Sequence, residues 1–211
     1  MAVTKINYGH PPTLTIGEAV AEDAKIVFDG NDQDFHIGLD DTADDLVIGL
    51  GSALGTTTHM AFTEDGEVTK PLQPAFAARP QDGTTQLNLA INTPVTIVMG
   101  QEQFDIGSNF ASNTFTAPVT GKYFLSTFLT CTSGDVEDVT IQLGILTSNG
   151  HYYESFSTTQ WVADSQWCLS LSVVADMDAS DTAYISFYQI GGTAQTDVVV
   201  AATWFTGCLL A

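Results

Sequence analysis

Acidic side chains are concentrated between residues 29 and 45, where the sequence reads DGNDQDFHIGLDDTADD. Closely spaced carboxylates are ligands that Ca²⁺ prefers, and a calcium-binding loop needs the pattern D-x-[DN]-x-[DN]-G with a later Glu. Asp29 and Asn31 fill the first two positions, but Gln33 and Asp34 break the pattern. Since Asp and Asn also dominate turns, we interpret this run and the later ADMDASD as turn residues. Calcium is the one alternative, and no other cofactor is expected.

The residue types that perform enzyme chemistry are present but are not arranged for it. The histidines lack the i, i+4 spacing of a zinc-binding helix and have no cysteine at ligand spacing. They are His10, His36, His59 and His151. The sequence also contains neither a G-x-S-x-G nucleophile turn nor a glycine-rich phosphate-binding loop. We therefore predict a protein that is not an enzyme and has no catalytic residues.

Four aromatic residues are the strongest candidates for a binding surface. Trp161 and Trp167 flank VADSQ, which has the composition of a loop, and Tyr152 and Tyr153 open a nearby predicted strand. Exposed rings beside Asp, Ser and Gln can bind sugars or proteins. The alternative is that these rings pack in the core or at a subunit seam, where aromatic residues are also common.

Composition limits the classes of partner. The 211 residues are 44% hydrophobic and only 14% charged, and 25 acidic residues against five basic ones give a net charge of −20. This charge disfavours binding to nucleic acid and to anionic membrane surfaces, whose phosphates it repels. No apolar run approaches the 18 residues of a membrane span, and the first residues lack the pattern of a secretion signal. The odd set Cys131, Cys168 and Cys208 has no metal-ligand spacing, so we expect buried free thiols and folding in a reducing cytoplasm, with one disulfide as the alternative.

The stretch FDIGSNFASNTFTAPVTGKYFL, residues 104–125, has the features of a loop, a turn and a strand. Phe104 and Phe115 are its predicted apolar anchors. Pro118 and Gly121 mark the turn, because proline presets φ near −65° and glycine permits positive φ. After Gly121, aromatic residues occur in both alternating sets of positions, so we expect this strand to be buried on both faces. A second sheet or another subunit must then cover it. The two sets are Tyr123, Leu125 and Thr127, and Phe124, Ser126 and Phe128.

Within this stretch, FTAPVTGKY resembles the signature of the globular head of the complement q subcomponent and, more distantly, of the tumour necrosis factor superfamily. WFTGCLLA at residues 204–211 is similar to the family's final strand, and PAFAARP at residues 74–80 to its opening strand. Leu125 and Thr127 depart from the family pattern, which has aromatic residues there. The resemblance implies a ten-strand jelly roll that forms a homotrimer, but it implies no activity. The residues that carry it are Phe115, Pro118, Gly121, Tyr123, Phe205 and Gly207.

The chain ahead of residue 74 has a different organisation. Residues 1–24 are predicted to form an extended arm, and residues 25–73 a β-rich module of short hairpins that serves as a stalk or capsid-facing anchor. The apolar content of this module is too small for a monomeric core, and three copies packed about one axis would solve this. Its layout resembles repeats in the fibres and spikes of tailed bacteriophages. The predicted strands are KIVF, DFHIGL, DLVIGL, THMAFT and EVTK.

Residues 74–211 are predicted to form the jelly-roll head, which makes the whole chain all-β. Turn residues divide short apolar runs, and Asn149-Gly150 is the strongest hairpin signal. No segment has a helical period. The predicted strands are QLNLAI, PVTIVMG, GKYFLSTFLTCT, EDVTIQLGILTS, HYYESFSTTQW, QWCLSLSVVADM, TAYISFYQIGG and VVVAATWFTGCLL.

These features together predict a structural protein on the surface of a tailed-phage virion, assembled in the host cytoplasm. The first hypothesis is a homotrimeric capsid decoration (cement) protein or head fibre, whose partners are its own copies and the major capsid protein or a tail or adaptor protein. The alternative is the receptor- or glycan-binding head of a tail fibre or spike, used in host attachment.

Overall fold

The computed structural model describes residues 15–81, 86–134, 140–158 and 165–211, and the chain divides into two compact units, Met1–Leu72 and Gln73–Ala211. The described residues are almost all strands and turns, with one short 3₁₀ turn at Val200–Ala202. The all-β prediction is therefore confirmed.

The first unit is a five-stranded antiparallel meander in which each strand pairs with the next along the chain. All five predicted strands are present, and turns rich in Asp and Gly separate them because these residues readily reverse the backbone. Residues 15–23 contain no strand, and the rest of the predicted arm lies outside the described residues. The strands are β1 (Ala24–Phe28), β2 (Phe35–Asp40), β3 (Asp45–Leu50), β4 (Thr58–Phe62) and β5 (Val68–Thr69).

One face of this meander is covered by the chain itself. Leu54, in the segment between β3 and β4, packs with Val47 and Ala61 into the buried apolar cluster of the unit. His36 on the same face is 1% exposed, and its Nδ1 lies 2.8 Å from the carbonyl oxygen of Gly51. The residues of the first unit thus form a single layer of sheet with a very small core.

The described residues of the second unit form twelve strands in two six-stranded sheets that pack face to face. One sheet has the order β13-β12-β15-β10-β9, with β7 beside β15. The other has the order β14-β11-β17-β6-β8, with β16 beside β11. Crossovers between the sheets make this a jelly-roll sandwich, as the resemblance implied. The strands are β6 (Ala75–Arg79), β7 (Val95–Thr96), β8 (Gln101–Ile106), β9 (Phe110–Ala111), β10 (Thr114–Thr116), β11 (Gly121–Thr132), β12 (Thr140–Thr147), β13 (His151–Ser157), β14 (Trp167–Met177), β15 (Thr182–Ile190), β16 (Asp197–Val198) and β17 (Trp204–Leu209).

Several predicted strands of the second unit are corrected by the structure. QLNLAI is not a strand, since Asn88 and Asn92 have φ of 55° and 58°, the left-handed region that interrupts extended backbone. PVTIVMG is a strand only at β7, and β17 begins later than predicted, after the 3₁₀ turn. The segment from Phe104 to Phe115 was predicted to be a loop. Its first residues instead belong to β8, and β9 and part of β10 follow within it.

Strand β11 is buried on one face only within the chain. Tyr123, Leu125 and Leu129 are 0% exposed and point into the sandwich, whereas Phe124 on the opposite face is 36% exposed. The second sheet covers one face, as expected, whereas the described residues leave the opposite face exposed around Phe124 and cover it only at the Thr130 end.

Candidate subunit interface

The sheet β14-β11-β17-β6-β8 has a solvent-facing side that is largely apolar. The register places Phe124 beside Val174 and Cys208, and places Phe128 beside Trp204. Ala77 on β6 pairs with Phe104 on β8 and continues the surface to the edge of the sheet. We call this surface the outer face; its apolar members are Ala75, Ala77, Phe104, Phe124, Phe128, Val174, Trp204 and Cys208.

The large side chains of the outer face are more exposed to solvent than apolar side chains in a protein core. Trp204 is 57% exposed, Val174 54% and Phe104 49%. Burying such side chains contributes roughly 25 cal/mol for each Å² of apolar surface removed from water. A contiguous exposed patch of this kind is typical of a protein–protein interface.

Three hydroxyl groups of the outer face already have partners inside the sheet. Ser126 and Ser172 share a hydrogen bond of 2.8 Å, and the Thr206 hydroxyl donates to the carbonyl oxygen of Phe76 at 2.7 Å. A buried polar group costs little only when it is hydrogen-bonded. The outer face can therefore lose its water without leaving these hydroxyls unpaired.

The two ends of β11 limit the apolar surface. At one end Lys122 forms an exposed ion pair with Asp176, with an N–O distance of 2.6 Å. At the other end the Thr130 hydroxyl donates to the carbonyl oxygen of Ala202 at 2.7 Å, so the segment around the 3₁₀ turn covers the strand there. A groove of about 360 Å³ lies beside Trp204, lined also by Ala77, Arg79, Gln103 and Thr203. It has room for a side chain of a neighbouring molecule.

The residues that carry the sequence resemblance lie behind the outer face and hold it in place. Phe115 is fully buried, stacks on Phe76 with ring centroids 4.6 Å apart, and contacts Tyr123 at 5.5 Å. Phe205 meets the same Phe76 ring edge-on at 4.9 Å. The Tyr123 hydroxyl donates to the carbonyl oxygen of Val119 at 2.8 Å, which ties β11 to the turn that follows Pro118.

Two glycines of the signature stand where no side chain fits. A Cβ on Gly207 would lie 2.7 Å from both Leu125 and Phe76, and one on Gly121 would lie 2.6 Å from the carbonyl oxygen of Ala211. The close approach of the chain at these points explains why the matching motifs contain glycine.

The aromatic residues predicted as a binding surface do not form one cluster in the described chain. Trp167 is half-buried and stacks on Phe187 with centroids 6.5 Å apart, and Tyr152 packs against the core. Tyr153 is 47% exposed on the edge strand β13, with the His151 ring 6.0 Å away. Trp161 lies outside the described residues. The structure thus leaves Tyr153 as the accessible ring of this set among the described residues.

The acidic runs hold turns together. Asp34 accepts a hydrogen bond from the Gly30 amide at 3.1 Å, and Asp40 accepts one from the Thr42 amide at 3.1 Å. Asp181 accepts from the amide of Asp178 at 2.7 Å and from the side chain of Asn149. Across the part of the chain that the structure describes, no three His, Cys, Asp or Glu side chains gather as metal ligands. His10 lies outside that part.

The three thiols are free but differ in environment. Cys131 is fully buried, and this burial raises the pKa of its thiol well above the ordinary value. Cys168 is exposed and Cys208 half-buried, so the prediction of buried thiols is wrong for these two. Both lie on the side of the sheet that carries the outer face. Their neighbours in the sequence are apolar, but nothing among the described residues fully covers these two side chains.

Comparison with known proteins gives similarity only to solved structures. No family model and no curated protein matches the chain. The globular domain of the zebrafish complement 1qA protein is 16% identical, with a TM-score of 0.47, over 66% of this chain and 98% of its own. Murine APRIL at pH 8.0 is 11% identical, with a TM-score of 0.46, over 65% and 99%. The Eiger TNF from S. frugiperda is 9% identical, with a TM-score of 0.46, over 66% and 94%. These values bring no ligand, partner or activity to this chain.

Part of the outer face was not predicted from the sequence. The double pattern of β11 was recognised, but Trp204 and Val174 were not assigned to a surface, and Phe104 was predicted to be an apolar anchor of a loop. For Trp204 the signal was present in WFTGC, where the signature residues Phe205 and Gly207 alternate with Trp204, Thr206 and Cys208 and so assign them to the other face.

None of the described helical residues forms a segment long and apolar enough to cross a membrane.

Proposed function

We propose that this chain is a non-enzymatic structural protein of a tailed-phage virion, a homotrimeric capsid decoration protein or head fibre. The second unit would form the trimeric head through the outer face, and the first unit would attach it to the major capsid protein or to a tail or adaptor protein. The single observation that carries the proposal is the exposed apolar outer face, in which Ser126, Ser172 and Thr206 already have hydrogen-bond partners.

The composition of the chain supports this role. A net charge of −20 keeps a displayed protein soluble and away from nucleic acid. The meander of the first unit agrees with the layout that resembles repeats of phage fibres and spikes. A trimer also suits a capsid shell, which has local threefold positions on which three identical contacts can be made.

The location on the particle is the test of the virion role. Gold-labelled antibody raised against the chain is applied to intact particles of a phage whose genome encodes it, and the labels are located by electron microscopy. Labels distributed over the capsid support a decoration protein or head fibre. Labels confined to the tail contradict that version, and particles without label contradict any place on the virion.

A receptor- or glycan-binding head is the second candidate, favoured by the exposed Tyr153 ring beside His151. Aromatic rings at such positions bind sugars and protein side chains by stacking. The purified protein should then bind host cells or their surface polysaccharide, and Tyr153→Ala or Trp161→Ala should reduce this binding at least tenfold. Trp167→Ala removes a half-buried ring that stacks on Phe187, so the stability of this variant has to be measured together with its binding. Cell binding that survives both of the first substitutions contradicts this use of the rings.

A further inference from the structure

The five-stranded meander of the first unit also has one entirely apolar face. The register aligns Ile26, Ile37, Ile48 and Met60 in one row across four strands. Two further rows flank it, one built on Phe28, Phe35 and Leu50 and the other on Leu39, Leu46, Phe62 and Val68. Every residue in these rows is apolar. We call this surface the meander face.

The described residues of the first unit leave the meander face uncovered. Leu39 is 45% exposed, Leu46 43% and Phe62 41%, whereas Leu54 and its neighbours cover the opposite face. A layer of sheet is stable only when it buries an apolar face against another layer. The buried apolar cluster of this unit has only three residues, Val47, Leu54 and Ala61, so the meander face needs a covering surface.

The meander face has no charged residue in its rows, and charged residues lie at its ends. The acidic residues of the first unit lie mainly in the turns, such as Asp32 before β2, Asp44 before β3 and Asp65 before β5. The rows between the turns carry no charged group that would select a basic or acidic partner. Such a surface is complementary to another copy of itself, since apolar packing needs no matched donors or charges.

The size of the meander face indicates how copies are brought together. Strands about 4.8 Å apart and a rise of about 3.4 Å per residue give an area on the order of 400 Å². That is about half of the roughly 800 Å² that each partner buries in a stable interface. The face is therefore too small to associate alone in dilute solution. It can associate when another part of the chain already holds the copies at an effective concentration in the millimolar range.

We infer that three copies of this chain pack their meander faces together about a common axis. This inference rests on the trimer proposed above, in which the outer faces of the heads hold the copies together. One threefold association then covers both apolar sheet faces of the same chain, whereas any other partner would cover only one of them. The first unit becomes a three-sided stalk with its acidic turns in solvent.

The test compares two cysteines placed on opposite faces of the same sheet in the full chain. Leu46→Cys lies on the meander face, and Val27→Cys lies on the opposite face with a similar exposure in the single chain, 43% against 37%. Each variant is treated with a maleimide, and the labelled site is read by mass spectrometry of peptides. Circular dichroism and the thermal midpoint establish that both variants remain folded.

The expected result is that Leu46→Cys reacts at least tenfold more slowly than Val27→Cys in the trimer. The two rates should converge when the trimer is dissociated by dilution or by Phe124→Glu. Equal rates in a protein with the mass of three chains overturn this inference and leave the head trimer standing. Slow labelling of Leu46→Cys that persists in single chains also overturns it, since the chain's own second unit would then cover the face. A wild-type mass of one chain overturns both the inference and the trimer beneath it.

Discussion

At the scale of single residues, the packing behind the outer face depends on an absent side chain. Gly207 on β17 lies where Leu125, Phe76 and the backbone of β11 come within 3.0 Å of the position of a Cβ. Leu125 and Phe76 belong to the buried core of the second unit, and protein cores are close-packed. The position therefore needs glycine for its size and not for an unusual φ.

We expect Gly207→Ala to lower the free energy of unfolding of the second unit by about 1–3 kcal/mol, the usual cost of overpacking a core. Urea unfolding followed by aromatic fluorescence measures this change. Gly150→Ala is the matched control, because its Cβ would meet only the tip of the Tyr152 ring at 3.4 Å. Equal stability of the two variants would contradict the packing described for Gly207.

Two buried titratable groups predict a loss of stability at alkaline pH. Burial raises the pKa of the Cys131 thiol well above 9.0, and desolvation raises the pKa of Tyr123 above 10.0 despite its bond to Val119. The unfolded chain therefore releases these protons at lower pH than the folded chain does. Their contribution to stability is complete below the ordinary pKa values and is lost as the pH rises through the folded-state values.

The corresponding measurement is the urea midpoint between pH 7 and pH 10.5. We expect the midpoint of the wild type to fall above about pH 8.5, the ordinary pKa of a thiol. Cys131→Ala should flatten this fall, since the variant has one fewer group to ionise on unfolding. An unchanged slope in Cys131→Ala would show that the thiol does not contribute.

At the scale of elements, the sequence predicted strands best where local turn chemistry and alternation agreed. All five strands of the meander and the hairpin at Asn149-Gly150 follow this pattern. β8 was missed because Gln101, Glu102 and Gln103 give it a polar edge-strand composition, and its pairing with β6 is a long-range backbone contact. QLNLAI was predicted to be a strand because its apolar and polar residues alternate. Its backbone, however, turns at Asn88, and the Leu89 amide donates a hydrogen bond to the carbonyl oxygen of Thr196.

The outer face was predictable only in part, for a physical reason. Alternation tells which residues share a side of a strand, but not whether a sheet or solvent lies over that side. Phe124 and Phe128 were therefore expected to be covered by a second sheet or another subunit, and the pattern could not decide between the two. Trp167, by contrast, was a candidate for an exposed surface and instead packs against Phe187.

A charge placed at the centre of the outer face should break the trimer. Phe124→Glu would bury a carboxylate without a partner, and an unpaired buried charge is strongly unfavourable. We expect single chains at micromolar concentration in analytical ultracentrifugation. Tyr153→Glu changes a ring of similar exposure on β13, away from the outer face, and should remain trimeric. Dissociation of both variants, or of neither, would contradict the assignment of the interface.

At the scale of the whole molecule, both units of the chain have an apolar sheet face that is left exposed. Each contains a sheet with one face covered by the chain and one apolar face in solvent. Twenty-five acidic residues against five basic ones make copies of the chain repel one another. Apolar contact has to exceed this repulsion, which salt screens over a distance of about 10 Å at 0.1 M. Association should consequently strengthen when the salt concentration rises.

The mass of the purified full-length chain in solution is the most direct test of the trimer on which this account depends. Mass photometry or sedimentation equilibrium is carried out from nanomolar to micromolar concentration at 0.05 M and 0.5 M salt. We expect a species with three times the chain mass of 22.5 kDa, which persists at the higher salt. A species of 22.5 kDa at every concentration and at both salts would contradict it.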